Sequence, residues 1–352
     1  AFAYFNLVRA FGEVPLINFR IYKDEDANKP KASVDKIYEL IDADLTAAEA
    51  VLPRAWGAVY VGRLTWGAAR ALHAKTYMMR SNWQAMYTAS TDVINSGAYR
   101  LDTPFNKVFR EEGENCPESI LELQCTANAQ YPQSNEVGSQ FAQVQGVRGS
   151  GQWDLGWGWN CPTQLLADAF EAGDPRKNET LLYFAKSEAE AATMQPNTPY
   201  NEKPIAASNV VNKYYNKKAY TNPALRSTYS KSGHWFNIRL IRYSDVLLMA
   251  AEALNRGNIS DERARDYLNK VRKRAFGDEN HNITVSGSAL TEAIWKERRV
   301  EFLGEGLRFF DLVRTGKGTE IQGFTANKNE VFPVPYEEIR FANGNWQQNQ
   351  GY

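Results

Sequence analysis

Three tryptophans fall within seven residues in Gly149-Ser-Gly-Gln-Trp-Asp-Leu-Gly-Trp-Gly-Trp159, spaced by glycines. A glycine-rich loop is a poor place to build a core, and an indole left in water there gains by meeting a flat apolar partner. The faces of sugar rings present C–H groups that stack on indoles. Asp, Asn, Arg and Gln side chains nearby exchange hydrogen bonds with hydroxyls. Trp153, Trp157 and Trp159, with Asp154 and Asn160, therefore form a candidate sugar platform. The competing reading folds these rings inward to plug a loosely packed loop. Trp56 and Tyr60, in a loop between helices, and Trp235, beside His234, are further candidates for ligand contact. Trp66, Trp83 and Trp295 recur at helical spacing and read as core.

A second cluster lies in WKERRVEFLGEGLRFFDLVR, Trp295 to Arg314. Glu297 and Glu301 are four residues apart on one helix face, flanked by Arg298 and Arg299. Arg308, Asp311 and Arg314 follow at three-residue steps. Two carboxylates across a cleft are the machinery of glycoside hydrolysis. Here, however, adjacent arginines lower the carboxylate pKa and weaken a general acid. The pattern reads as ion pairs clamped at a helix junction, mutually satisfied because an unpaired buried charge is costly. Gly304 and Gly306 let the chain turn at that junction.

Other chemistries lack their signatures. There is no GxxxxGK[ST], no GxSxG elbow and no HExxH. The three cysteines form no CxxC. Cys116 and Cys125 are near enough to pair across a short loop, which leaves Cys161 alone. The three histidines are scattered, so neither a metal nor another cofactor is expected. Lys and Arg total 41, as do Asp and Glu, and a net charge of zero argues against a nucleic-acid partner. No run approaches the roughly 18 apolar residues of a membrane-spanning helix.

The elements that must carry these residues are mostly helical. Phe2, Phe5, Val8 and Arg9 share one helix face, with Gly12 and Pro15 ending it. Ser33 caps a helix with Val34, Ile37, Ile41, Leu45 and Ala48 on one face. Thr65 caps the next, and Asn82 begins another that ends near Gly97. Ala74-x-x-Tyr77-Met78-x-Arg80-x-Asn82-Trp83 aligns with Ala250-x-x-Ala253-Leu254-x-Arg256-x-Asn258-Ile259. In both, an alanine-rich helix meets a short turn and a second amphipathic helix, the pattern of tetratricopeptide-like hairpins. From Leu101 to about Trp235 the chain is rich in Gly, Pro, Asn, Ser and Gln. Only Ser119–Gln124, as strand, and Cys161–Phe170 look regular there. Helices are expected to resume at Ile238 and run to about Thr315, Ser260 capping Asp261–Ala275 and Ser288 capping Leu290–Leu303. VFPVPYEEI then makes a proline-bounded extended turn, and the tail has no helix. The reading is a mostly α fold of tetratricopeptide-like helical hairpins plus an irregular loop-rich lobe. It divides into helices over 1–100, a loop-rich ligand lobe over 101–236 and C-terminal helices over 237–352.

The W-x-E-R-R-x-E-F-x-G-E-G-x-R-x-F-D-L-x-R pattern of Trp295 to Arg314 closely resembles the C-terminal signature of the SusD/RagB family. FAYFNLVRAFGEVPLI, GRLTWGAARALHAKTYM, WGWNCPTQLLADAFEAGDPR, IRLIRYSDVLLMAAEAL and VFPVPYEEI resemble further family segments in family order. That family comprises lipid-anchored nutrient-binding proteins on the outer membrane of Bacteroidetes. The resemblance implies a SusD-like α/α superhelix and one SusD-like domain across 1–352 that lacks its N-terminal part. Family members begin with a secretion signal, a lipidated cysteine and a further N-terminal region, and this chain opens inside an uncapped apolar helix. The resemblance also implies a non-catalytic, surface-exposed lipoprotein of polysaccharide utilisation. It would capture oligosaccharides and pass them to a SusC-like TonB-dependent transporter, its hairpins forming the docking scaffold and its loops holding the ligand. Rival readings are a glycoside hydrolase on a helical scaffold, a pure assembly scaffold, and a family member whose cargo is peptide.

Overall fold

Capping side chains set where the helices of this chain begin. The structure, a computed structural model, describes residues 1–126, 138–193, 200, 210–227, 229 and 232–352. Helix α1 (Phe2–Phe11) stops at Gly12, and the next turn is held by a two-stranded pairing of β1 (Val14–Pro15) with β2 (Lys31–Ala32). Ser33, Thr65 and Asn82 each accept a hydrogen bond from the backbone N–H three residues on. They start α2 (Val34–Val51), α3 (Trp66–Met79) and α4 (Trp83–Asn95). Each cap satisfies a donor that a helix start leaves unpaired, worth about 1 kcal/mol.

Antiparallel β3 (Ser119–Leu123) and β6 (Ile238–Arg242) pair across the middle of the chain, Ser119 opposite Arg242 and Leu123 opposite Ile238, with a bulge between. Between them β4 (Leu181–Tyr183) pairs with β5 (Tyr214–Asn216). Strand β6 runs directly into α5 (Tyr243–Arg256). Ser260 caps α6 (Asp261–Phe276), and α7 (Gly287–Glu301) and α8 (Arg308–Arg314) follow.

The two alanine-rich helices make the expected hairpins. Helix α3 packs on α4 and α5 packs on α6, while α5 also packs on α4, so the hairpins stack into one frame. Each hairpin turn contains one left-handed residue, Ser81 and Asn258, both with φ of 54°. Gly67, Ala68, Ala71 and Ala74 are buried on α3, as are Ala250, Ala251 and Ala253 on α5. Small residues let the helix axes approach. Around them Ile37, Ile41, Met86, Val93, Val246 and Met249 form one core cluster, and Leu247, Leu248, Leu268, Val271, Leu290 and Ile294 a second. Each such side chain contributes roughly 1.5–3 kcal/mol on burial. The loop-rich region has a separate small core, which includes Val147, Trp153, Leu182, Phe184 and Tyr215. The fold is mostly α, with tetratricopeptide-like hairpins, as the periodicity implies.

Several local expectations are corrected. Ile238–Arg242 is a strand, and the helix begins only at Tyr243, because alternate residues Arg239 and Ile241 turn inward against β3 partners. Within Cys161–Phe170 only Gln164–Ala167 is helical. Helix α7 starts at Gly287, after Ser286, which makes no side-chain cap. Pro335 does not extend the tail but opens a six-residue helix, Tyr336–Phe341, since proline's fixed φ suits a helix start. Cys116 and Cys125 do not pair, and all three cysteines are free thiols.

Candidate functional site

Backbone hydrogen bonds fix the tryptophan loop before any side chain is considered. Trp157 N–H donates to Gln143 O at 2.9 Å, Gly158 N–H to Gly146 O at 3.0 Å and Trp159 N–H to Val144 O at 2.8 Å. The loop thereby lies along the short helix Phe141–Gln145. Gly156 permits this approach, because a Cβ there would sit 2.2 Å from Gln143 O. Asn160 closes the segment with a φ of 51° and donates from Nδ2 to Gln145 Oε1 at 3.0 Å. Gln145 Oε1 is itself held by Asn216 Nδ2 at 2.9 Å. Asn160 is thus an anchor of the loop as well as a polar neighbour of the rings.

On this support Trp157 and Trp159 turn outward, 36% and 59% exposed. Their ring centroids are 4.9 Å apart with planes tilted 53°. Asp154 is exposed on the same loop. Trp153 departs from the expectation. It is 2% exposed and meets Phe184 edge-on at 4.9 Å, within the lobe core. Trp153, Phe184 and Tyr215 pack ring edge to ring face there, and an indole brings a large apolar area to that cluster. Trp153 therefore plugs the loop while its two neighbours face water. Trp235 is corrected as well. It is buried, its Nε1 donates to Glu111 Oε1 at 3.1 Å, and it packs by Tyr229. His234 beside it is buried too, with Nε2 3.2 Å from Gln143 Oε1.

Trp56 and Tyr60 form a second exposed aromatic pair, with ring centroids 6.1 Å apart at 72°. Trp56 Nε1 donates to Leu64 O at 2.8 Å, and the Arg63 guanidinium lies 4.4 Å from the Tyr60 ring centroid. The pair borders a hollow of about 270 Å³ whose far wall is β3 and Gln124. Asn115 and Gln124 exchange two amide hydrogen bonds of 2.9 Å there. Neither Trp157 nor Trp159 lines that hollow. Sequence reasoning missed Arg63, Asn115 and Gln124. Their only local signal is polarity, because β3 pairing brings them to the loop.

The carboxylates of the C-terminal segment are committed to ion pairs. Glu301 accepts from Arg176 at 3.0 Å, Arg242 at 3.0 Å and Arg274 at 2.5 Å. Glu297 accepts from Arg176 at 2.5 Å and Arg272 at 2.8 Å. Arg242 also bonds Glu118 and Glu305. A second chain runs from Lys75 to Asp245 at 2.5 Å, on to Arg298 at 2.8 Å and Asp311 at 3.1 Å, and then through Arg314 to Glu252. Burial opposes ionisation of Glu301 and Asp245, but the surrounding cations outweigh it and hold both well below the usual carboxylate range. Such groups stay ionised and do not donate protons. Glu114 behaves oppositely. Burial pushes it up to about 7, although the Asn237 N–H and Arg239 pull the other way.

Among the described residues no group of three or more His, Cys, Asp or Glu is placed to hold a metal ion. No helix among them is long and apolar enough to cross a membrane.

The sequence profile of the SusD family matches residues 117–331, and a second profile, "Starch-binding associating with outer membrane", matches residues 1–78. SusD-like protein P2 of Formosa agariphila is 28% identical over 375 residues, an alignment covering 100% of this chain and 72% of that protein. SusD-like protein P25 of the same organism is 25% identical over 370 residues, covering 97% of this chain and 68% of that protein. Among solved structures, a laminarin binding SusD-like protein superposes with a TM-score of 0.82 at 30% identity, covering 100% of this chain and 76% of that one. Surface glycan-binding protein A from Bacteroides thetaiotaomicron, in complex with laminarihexaose, gives 0.78 at 26% identity over 99% of this chain and 76% of that one.

Proposed function

This chain belongs to the SusD family, and we propose that it binds oligosaccharide at its Trp157–Trp159 pair without altering it. The observation that carries this reading is the outward orientation of two near-adjacent indoles on a stretch whose Trp157, Gly158 and Trp159 N–H groups are all hydrogen-bonded below them. Rings held in that way lose little freedom on stacking, so the gain from sugar contact is not spent on ordering the loop. Asp154 and Asn160 supply hydrogen-bonding groups beside them. Trp56 and Tyr60 offer a second aromatic contact, edged by Arg63 and Gln124. In this reading the stretch 101–236 is the ligand lobe, framed by 1–100 and 237–352.

A few ring stacks of roughly 0.5–1.5 kcal/mol each, with several hydrogen bonds, correspond to micromolar to millimolar affinity. Weak capture suits a protein that hands its ligand on. Family membership supports the rest of the proposal: attachment to the outer-membrane surface through a lipid anchor, and delivery to a SusC-like TonB-dependent transporter. Related proteins are named as binders of laminarin or laminarihexaose, which makes laminarihexaose the first ligand to try. Commitment of Glu297 and Glu301 to arginines supports binding without hydrolysis.

Isothermal titration with laminarihexaose and a panel of other oligosaccharides tests this, alongside a product assay on the same mixtures. Saturable binding with no new reducing ends is expected. Hydrolysis, or equal binding by a Trp157→Ala/Trp159→Ala double variant, overturns it.

A further inference from the structure

Helix α7 and helix α8 meet at the turn containing Gly304 and Gly306, and the reversal sets Arg299 and Arg308 along one hollow of about 200 Å³. Neither aromatic pair lines it. Five cations line it, Lys296, Arg298, Arg299, Arg308 and Lys317, against three acids, Glu292, Asp311 and Glu320.

Those acids are largely spoken for. Asp311 accepts from Arg314 at Oδ1, 2.8 Å, and from Arg298 at Oδ2, 3.1 Å. Both oxygens of Glu292 accept from Lys317, at 2.9 and 2.6 Å. Glu320 reaches Arg308 only at 3.5 Å. Among the described residues the Arg299 side chain makes no ion pair or hydrogen bond, and its Nε is buried without a partner. Burial lowers the Arg308 pKa, and the nearby Arg299 charge lowers it further. Of the five cations, Lys296 pairs with Glu171, Arg298 with Asp245 and Asp311, Arg308 with Glu320 and Lys317 with Glu292, so among the described residues Arg299 is the one left without a carboxylate.

We propose that this hollow is a binding site for an oxoanion, a carboxylate, sulfate or phosphate group received by Arg299 and Arg308 with Lys317 at the rim. A guanidinium presents paired N–H donors in a plane, which fits two oxygens of such a group. The bound anion relieves the repulsion between the two arginines and gives the Arg299 Nε–H an acceptor. The site is independent of the glycan reading and stands or falls without it.

The test uses the purified chain at low ionic strength and neutral pH, titrated with sodium sulfate, sodium phosphate or sodium acetate. Sodium chloride at matched ionic strength is the control. Saturable one-site binding by calorimetry, with a rise in melting temperature beyond the chloride control, is expected. Arg299→Gln and Arg308→Gln should each weaken it at least tenfold, the loss of one charge-assisted contact. Because Arg299 has no protein partner to lose, its Gln variant is expected to fold, and Arg299→Lys, which keeps the charge but not the fork, is a second variant that should also bind more weakly. Acetate saturating below sulfate and phosphate identifies a planar carboxylate as the ligand group, and the reverse order a tetrahedral one. Stabilisation equal to the chloride control, or unchanged affinity in both Gln variants, overturns the proposal.

Discussion

Arg176, from the loop-rich lobe, donates to Glu301 on α7 at 3.0 Å, joining residues 125 positions apart. Neither side chain is more than 1% exposed, and Arg242 and Arg274 converge on the same carboxylate. Glu301 thus joins Glu297, which also accepts from Arg176, and Glu305, which accepts from Lys218, in fastening the lobe to the helical frame. Glu301→Ala leaves three buried cations short of a counter-charge. It should destabilise the chain by about 3–5 kcal/mol, read as a lowered midpoint in urea unfolding. A loss under 1 kcal/mol would show that the remaining acids, Glu118, Glu297 and Glu305, take over its role.

The tryptophan loop separates two effects that its sequence merges. Trp159→Ala removes an exposed ring, so laminarihexaose affinity should fall about fivefold to tenfold, the worth of one stack, with little change in melting temperature. Trp153→Ala empties the space against Phe184 and should lower stability by about 3–5 kcal/mol. Differential scanning calorimetry beside titration distinguishes them. Exchanged outcomes, a stable Trp153 variant that no longer binds and an unstable Trp159 variant, would refute the assignment.

Glu114 sets a pH dependence of unusual sign. Its folded-state pKa is raised by burial from 4.5 to about 7, so between these values the folded chain holds a proton that the unfolded chain releases. Stability from this group is therefore fully present below about pH 4.5 and is lost as pH rises through 7. Asp245 and Glu301 work in the opposite sense, their depressed pKa values giving stability that is lost only in stronger acid. Urea midpoints measured from pH 5 to 8 should fall for the wild type and stay flatter for Glu114→Gln. Parallel curves for the two proteins would exclude Glu114 as the cause.

Cys161 offers a chemical check on the lobe. Its thiol is half-buried and pushed up to about 11 by burial, against a smaller opposing effect of Asn212. At pH 8 about one part in a thousand is thiolate, the reactive form. Its modification by iodoacetamide, followed by peptide mass spectrometry, should be far slower in the native chain than in denaturant. Equal rates would mean that the lobe is open around it.

The helical frame was legible because caps and alanine spacing are local. Ser33, Thr65, Asn82 and Ser260 each act within three residues of themselves. The site was legible only in part. Trp153, Trp157 and Trp159 lie in one glycine-rich run, and what separates Trp153 from the other two is Phe184, supplied by a distant strand edge. Trp235 likewise needed Glu111, 124 positions away, to show that it is held inside. The acid–arginine spacing of α7 announced ion pairs but could not name their partners, since Arg176 and Arg242 come from segments with no matching pattern.

During synthesis, Arg176 emerges long before the acid that receives it. With 125 residues between them and a ribosome adding roughly 5–20 residues per second, the delay is on the order of ten seconds. Through that interval Arg176 has its neighbour Asp174 as a carboxylate partner but neither Glu297 nor Glu301. Closure waits until Glu301 has emerged, and a chain terminated before it is left open to proteases.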